Sequence, residues 1–147
     1  MSDKFLHRGD APFKDEVWQR LDEAVLGAAK SQLCARRLLH TEGPYGLDLK
    51  HVPAADRPLE EKPVAEGVSL VASRAVPVVG IQAEFTLAAR DIAAFEERGT
   101  PLDLGPAAAA AIACARQEDA LILSGSKAAG VPGLLTADGT QSSKLSA

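Results

Sequence analysis

Large side chains are scarce in this 147-residue sequence: four Phe, one Trp and one Tyr make up an aromatic share of 4%. Alanine takes their place, most densely in "PAAAAAIACA" (106–115). An alanine core buries little apolar area per residue. Such a chain can pack helices closely, but it gains stability from surface supplied by other chains. Cysteine is also rare. Cys34 and Cys114 have no cysteine or histidine near them at metal-ligand spacing, which argues against a zinc site. A disulfide between them is disfavoured in a reducing compartment, and both read as small, half-buried thiols. The three histidines, His7, His40 and His51, stand alone and none begins a metal motif. There is no apolar run of the ~18 residues that a membrane helix needs. The opening "MSDKFLHRGDAPFKDE" has no apolar centre and is not a secretory signal, so a cytoplasmic protein is expected. There is no basic excess either: 16 Lys and Arg stand against 20 Asp and Glu, a net charge of -4. General nucleic-acid binding usually needs a basic face, so neither nucleic acid nor membrane is an expected partner.

Catalytic patterns are equally thin. No G-x-S-x-G elbow occurs, and "SGSKAAG" (124–130) fails the spacing of a phosphate-binding loop. Glu118 and Asp119 are adjacent carboxylates, but neighbours on a helix point about 100° apart and cannot share one proton site. They read as helix-face charges paired with Arg116 or with a base from a neighbour. Arg36-Arg37 admits two readings: solvated charge near a helix end, or a guanidinium clamping a partner's carboxylate in the bidentate way that suits arginine. No enzyme site emerges, and no catalytic, cofactor-binding or metal residues are expected.

What is present is an ordered set of elements. Residues 1–13 form an arm with Phe5 and Leu6 as its apolar anchor, since Gly9-Asp10-Ala11-Pro12 discourages regular structure. Apolar residues at 17, 18, 21, 24, 25 and 28 predict a helix over 14–35. Its acidic start and basic end complement the helix dipole. Arg36 to His40 is either a last helical turn or the start of a strand. Glu42-Gly43-Pro44-Tyr45-Gly46 then forces a turn. Residues 47–66 read as loop, because Pro53, Pro58 and Pro63 forbid a helix and cap any strand. Strands are predicted over 67–74 and 78–87. In the second, Val79, Ile81, Ala83, Phe85 and Leu87 share one face. A two-stranded ribbon is marginal in water and is expected to lean on a neighbouring copy. A short helix over 88–98 ends at Gly99. Asp103 and Pro106 introduce the longest helix, 106–123. A glycine-punctuated loop carries Leu134-Leu135, and a polar tail runs over 137–147.

"FLHRGDAPF", a tryptophan six residues after Pro12, "SQLCARRLLHTEGPYG", "AEFTL", "ERGTPLDL" and "QEDALILSGSKAAGVPGLL" occur in that order. Together they resemble the encapsulins, the linocin-like shell proteins of bacterial nanocompartments, from about Phe5 to Leu135. The resemblance implies an α+β fold of the tailed-phage major capsid (Hong Kong 97) type. It assigns 14–46 to the interior helix and the start of the peripheral domain, 47–87 to the projecting E-loop, and 88–136 to the peripheral domain with its spine helix; the axial domain is absent. It implies a homo-oligomeric, icosahedral cytoplasmic shell that encloses a ferritin-like protein or a dye-decolorising peroxidase, in the service of iron storage or oxidative stress. A targeting peptide at the cargo's C-terminus would dock beside the first helix at Leu33, Arg36, Arg37 and His40. Phe5, Leu6, Val79, Ile81 and Phe85 would meet neighbouring subunits.

Three departures qualify what carries over, and length is the largest. Arg36 matches the family's basic cargo-binding position, but His40 stands where an acid is expected, which implies a different salt bridge or a different cargo tail. "LAARDIAAF" (87–95) lacks the tryptophan by which some relatives bind flavin, so no flavin is expected. Family members are roughly twice as long, so this chain is either a natural short form, one half that pairs with a complementary C-terminal fragment, or a portion of a longer protein. Two competing readings are a prophage major capsid protein or remnant, and a small helical ligand-binding or regulatory domain.

Overall fold

The computed structural model describes residues 7–59, 65–141 and 143; Phe5 and Leu6 lie outside them. Its centre is a pair of helices. Helix α1 spans Asp15–Gln32 and helix α4 spans Gly105–Ser124. Both starts follow local chemistry. Asp15 and Glu16 occupy the first turn of α1. The Asp103 carboxylate accepts the Gly105 N–H at 2.8 Å, and Pro106 sits in the first turn of α4, where its missing N–H costs nothing.

The core between the two helices is small. Val17 and Leu21 of α1 are buried, as are Ala107, Ala111 and Ala115 of α4, four residues apart along one stripe. Alanine at this spacing lets the helix axes approach closely, but it leaves little volume to bury. Val17 is the largest fully buried side chain among the described residues. The total accessible surface is 12120 Å², whereas a compact monomer of this mass exposes about 7,100 Å².

Smaller elements attach to this pair. Helix α2, Ala35–Leu38, is a single turn, so the segment after α1 is helical rather than the start of a strand. Helix α3, Ala89–Arg98, ends at Gly99, whose φ of 66° permits the left-handed cap. Glu96 of α3 accepts the Lys14 backbone N–H at 2.6 Å, tying α3 to the start of α1. A 3-10 turn at Arg8–Asp10 brings Arg8 onto Asp22 through two 2.8 Å bonds, with its guanidinium 4.7 Å from the Trp18 ring centre.

The ribbon differs from expectation in register. Strand β1, His51–Pro58, pairs antiparallel with β2, Val71–Pro77, from His51↔Pro77 to Pro58↔Val71, with an irregularity between Ala54 and Arg57. Residues 51–58 were expected to be loop because of their prolines. A two-stranded ribbon has an open edge on each strand, where a residue without an N–H is tolerated. The second strand begins four residues later than the 67–74 expected. The strand expected over 78–87 has no partner: beyond the Val78 N–H on the Lys50 carbonyl at 2.8 Å, this stretch forms no ladder among the described residues. The ribbon itself is exposed along nearly its whole length. After α4, two-residue strands β3 (Gly125–Ser126) and β4 (Val131–Pro132) pair to fold the chain back on the helix end.

Candidate functional site

A groove of about 440 Å³ runs between the two main helices. One wall comes from the second half of α1: Val25, Leu26, Ala29 and Leu33, with Lys30 as its charge. The small residues of α4, Ala107 to Ala115 with Cys114, form the floor, and Ile81, Ala83 and Phe85 close the other side. The groove exists because alanine on α4 cannot fill the space that α1's longer side chains leave open. Leu26 and Phe85 stay 55% and 40% exposed at its lip, so its walls are apolar and accessible together.

A polar clasp closes one end. Arg36 of α2 donates to Glu118 of α4 through Nε at 2.5 Å and Nη2 at 2.8 Å. The pair also borders a second hollow, of about 550 Å³, lined by Thr41 to Pro44 and Ile122. Beside it the two oxygens of Asp119 accept the backbone N–H groups of Cys34 and Ala35 at 2.9 and 3.0 Å. The two adjacent carboxylates therefore do different jobs, as their angular separation on a helix requires: Glu118 takes a guanidinium and Asp119 takes a backbone turn. Arg116, the partner expected from sequence, instead donates to the Gln32 side chain at 3.3 Å.

Hydrogen bonds from Cys34, and then from the Ala35 backbone, hold the Asp119 carboxyl below its ordinary value of 3.8, and its proximity raises the Cys34 thiol. Glu118 raises Arg36 further above its ordinary value. A carboxylate with a depressed folded value contributes stability that is complete above 3.8 and is lost as pH falls through the lowered value. Acidification below that point is expected to loosen residues 34–38. Asp119→Ala is expected to do the same at neutral pH. Amide exchange at Cys34 and Ala35 should accelerate in this variant while the interior of α1 stays protected, and unchanged exchange at those two amides would remove the capping role.

The residues singled out from sequence separate in space. Leu33 and Arg36 border the groove, as do Ile81 and Phe85. Val79 lines a neighbouring hollow of about 460 Å³ against Gln117–Ser126. Arg37 is exposed. His40 is exposed too, its Nε2 4.0 Å from Glu42 Oε1, and it does not border the groove. Cys34 is exposed and Cys114 half-buried, so only the second matches its expected setting. The capping role of Asp119 had no local sequence signal, because its targets lie 85 and 84 positions away. No cluster of metal-ligating residues occurs among the described residues, and none of their helices is long and apolar enough to cross a membrane.

Comparison with known proteins adds an independent line. The profile of a family described as "Encapsulating protein for peroxidase" matches residues 3–147. The chain is 35% identical over 145 residues to the type 1 encapsulin shell protein EncA of Myxococcus xanthus, covering 92% of this chain and 50% of that one. It is 30% identical over 140 residues to a type 1 encapsulin shell protein of Rhodococcus erythropolis, covering 95% and 53%. A diheme-cytochrome-encapsulin shell fusion protein of Kuenenia stuttgartiensis is 30% identical over 138 residues, covering 89% and 38%. The chain thus spans about half the length of the curated relatives it matches.

Proposed function

The chain belongs to the encapsulin shell family, and from that premise we propose that it serves as all or part of a shell protomer whose work is packing rather than catalysis. The observation that carries this reading is the surface left uncovered. The accessible area of 12120 Å² is far above that of a compact chain, and apolar side chains such as Val52, Leu70 and Val71 stand open on or beside the ribbon. Contiguous exposed apolar surface marks an interface. Residues 47–87 act as the projecting arm, with the β1–β2 ribbon laid on a neighbouring subunit. Helices α1 and α4 belong to the interior-facing and spine positions of a capsid-type protomer. Repeated contacts of fixed rotation close such a chain into a symmetric cage, a cytoplasmic compartment of many copies.

The groove between α1 and α4 is the docking place for the C-terminal targeting peptide of an enclosed enzyme, a peroxidase or a ferritin-like protein. Apolar walls with few charges suit a short peptide anchored by aliphatic side chains. Leu33 supplies such a wall. Arg36 is engaged by Glu118, so a peptide carboxylate would have to displace an acid already in place. Light scattering and electron microscopy of the protein purified with all of its polypeptide should give closed particles of megadalton mass, and a discrete small monomer would overturn the shell reading. Leu33→Asp should leave particle size unchanged and reduce co-purification of a cargo carrying the targeting peptide by more than tenfold. Equal loading in that variant would move the docking place elsewhere.

A further inference from the structure

Charge enters the groove between α1 and α4 through Lys30, Arg36 and Glu118. Two of these cancel. The Arg36 guanidinium donates to both oxygens of Glu118 through Nε and Nη2, and the adjacent Asp119 is taken up by the N–H groups of Cys34 and Ala35. Lys30 is different. It is exposed, and among the described residues its side chain has neither an ion-pair partner nor a hydrogen bond. It stands four residues after Leu26 and three before Leu33, so the three share one face of α1. Both leucines line the same wall of the groove. The groove is thus an apolar trough with an uncompensated positive charge part-way along it. A lysine in the last turn of α1 also suits the helix dipole, but any face of that turn would serve the dipole equally well.

We infer that Lys30 selects the charge of the docked peptide: the targeting tail carries an acidic side chain between aliphatic anchors, and its carboxylate meets the Lys30 ammonium. The inference rests on the groove being the docking place for that tail, and it names which tails the groove takes. Docking between apolar walls expels water, and the attraction between opposite charges grows as the local dielectric falls. A neutral tail would cover the ammonium without giving it a partner, which costs free energy, and a basic tail would add repulsion. Arg36 is a poorer receptor for the acid, because Glu118 already holds its guanidinium. Lysine suits the role, since its ammonium is a point charge on a flexible four-carbon stem and does not demand one fixed pose of the carboxylate. The wall from Leu26 to Leu33 is about 10 Å long, roughly three extended residues, so the acid has an aliphatic neighbour within about two residues on each side.

The test co-expresses the protein, with all of its polypeptide, and a green fluorescent reporter carrying a library of randomised C-terminal tails of about ten residues, long enough to overrun the groove. Tails that co-purify are identified by mass spectrometry, and those that also co-purify with Leu33→Asp are set aside as bound elsewhere. The parent should enrich tails with Asp or Glu between aliphatic residues, and Lys30→Glu should enrich tails with Lys or Arg at that place. Exchanging the acid of a selected tail for its amide should lower loading about fivefold in the parent and leave it unchanged in Lys30→Gln. The same acidic preference in the parent and in Lys30→Glu overturns the inference. So does a preference that survives Lys30→Gln but is lost in Arg36→Gln, which assigns the carboxylate to Arg36. Glycines added after a selected tail move the chain's terminal carboxylate away from the groove. Loading should persist, and its loss would make the terminus the recognised group and overturn the inference. If no tail co-purifies above the Leu33→Asp background, the docking reading falls and takes this one with it. Enrichment of apolar tails without an acid sinks this inference alone, so the two failures are distinguishable.

Discussion

Val17→Asp is expected to separate α1 from α4 and to abolish the folded state of the helix pair at neutral pH. Val17 is completely buried, and the other buried residues of the helix pair are Leu21, Ala107, Ala111 and Ala115. Those residues carry no polar atom beyond their backbone, and no buried polar or charged residue stands among the described residues to meet a new carboxylate. The carboxyl either ionises in an apolar site or binds a proton to avoid doing so, and each route costs several kcal/mol, on the order of 3 or more. A large fraction of a small domain's stability is of that size. The sign of the pH dependence is fixed by the same argument. Burial raises the folded value of the introduced carboxyl above its unfolded value, so the folded state binds the extra proton and the variant recovers stability as pH falls. Circular dichroism melts should therefore show a variant less destabilised at pH 5 than at pH 7 relative to the parent. A parent-like melting temperature at neutral pH would mean that the helix pair is not the core.

Gly133→Ala is expected to have a comparable effect on the other end of α4. The chain after the helix returns so closely that a Cβ on Gly133 would overlap the backbone nitrogen of Gly125 and the carbonyl carbon of Ser124. Gly125, at φ 70°, makes the sharp turn that allows the return. The approach has a purpose in hydrogen bonding. The last carbonyls of a helix lack intrahelical donors, and here Leu134 and Leu135 donate their N–H groups to Ile122 and Leu123, both at 2.9 Å. The Thr136 hydroxyl donates to the Ser124 carbonyl at 3.2 Å. Alanine at 133 pushes this strap off the helix end and leaves those carbonyls to water. Steric displacement together with three lost bonds, each about 1 kcal/mol, amounts to roughly 3 kcal/mol or more. Amide exchange at Leu134 and Leu135 should rise towards the unprotected rate, while a Gly130→Ala control, whose Cβ meets nothing within 4 Å but whose φ is 67°, should be much milder. Retained protection at both leucines in Gly133→Ala would refute the close packing.

The two helices were legible because their signals are local and repeated. The apolar period from Val17 to Ala28 marks α1, and Asp103-Leu104-Gly105-Pro106 marks the start of α4 by a cap and a proline that act within four residues. Gly99 likewise marks the end of α3, since only the backbone angle at one position is involved. The β1 strand was missed because proline was weighed as a strand breaker, and an exposed ribbon with free edges on both sides removes that penalty. The stretch 78–87 shows the opposite case: its residues alternate as those of a strand do, but nothing pairs with it among the described residues, so no strand forms there. The groove drew on both kinds of information. Leu33 and Arg36 were visible as the end of a helix, and Ile81 and Phe85 as one face of a strand. That the four border a single hollow depends on how α4 lies between them.

By itself the sequence determined the order of elements, the small size of the core and the family, because periodicity, capping residues and an ordered set of motifs are read along the chain. Only the tertiary structure decided that Glu118 holds Arg36, that Asp119 caps the turn at Cys34–Ala35, and that α1 and α4 leave an open apolar groove between them. The physical reason is distance along the chain. Propensity and capping act over a few residues, whereas a clasp joining residues some eighty positions apart exists only once two helices have packed, and no local rule encodes where that packing will bring them.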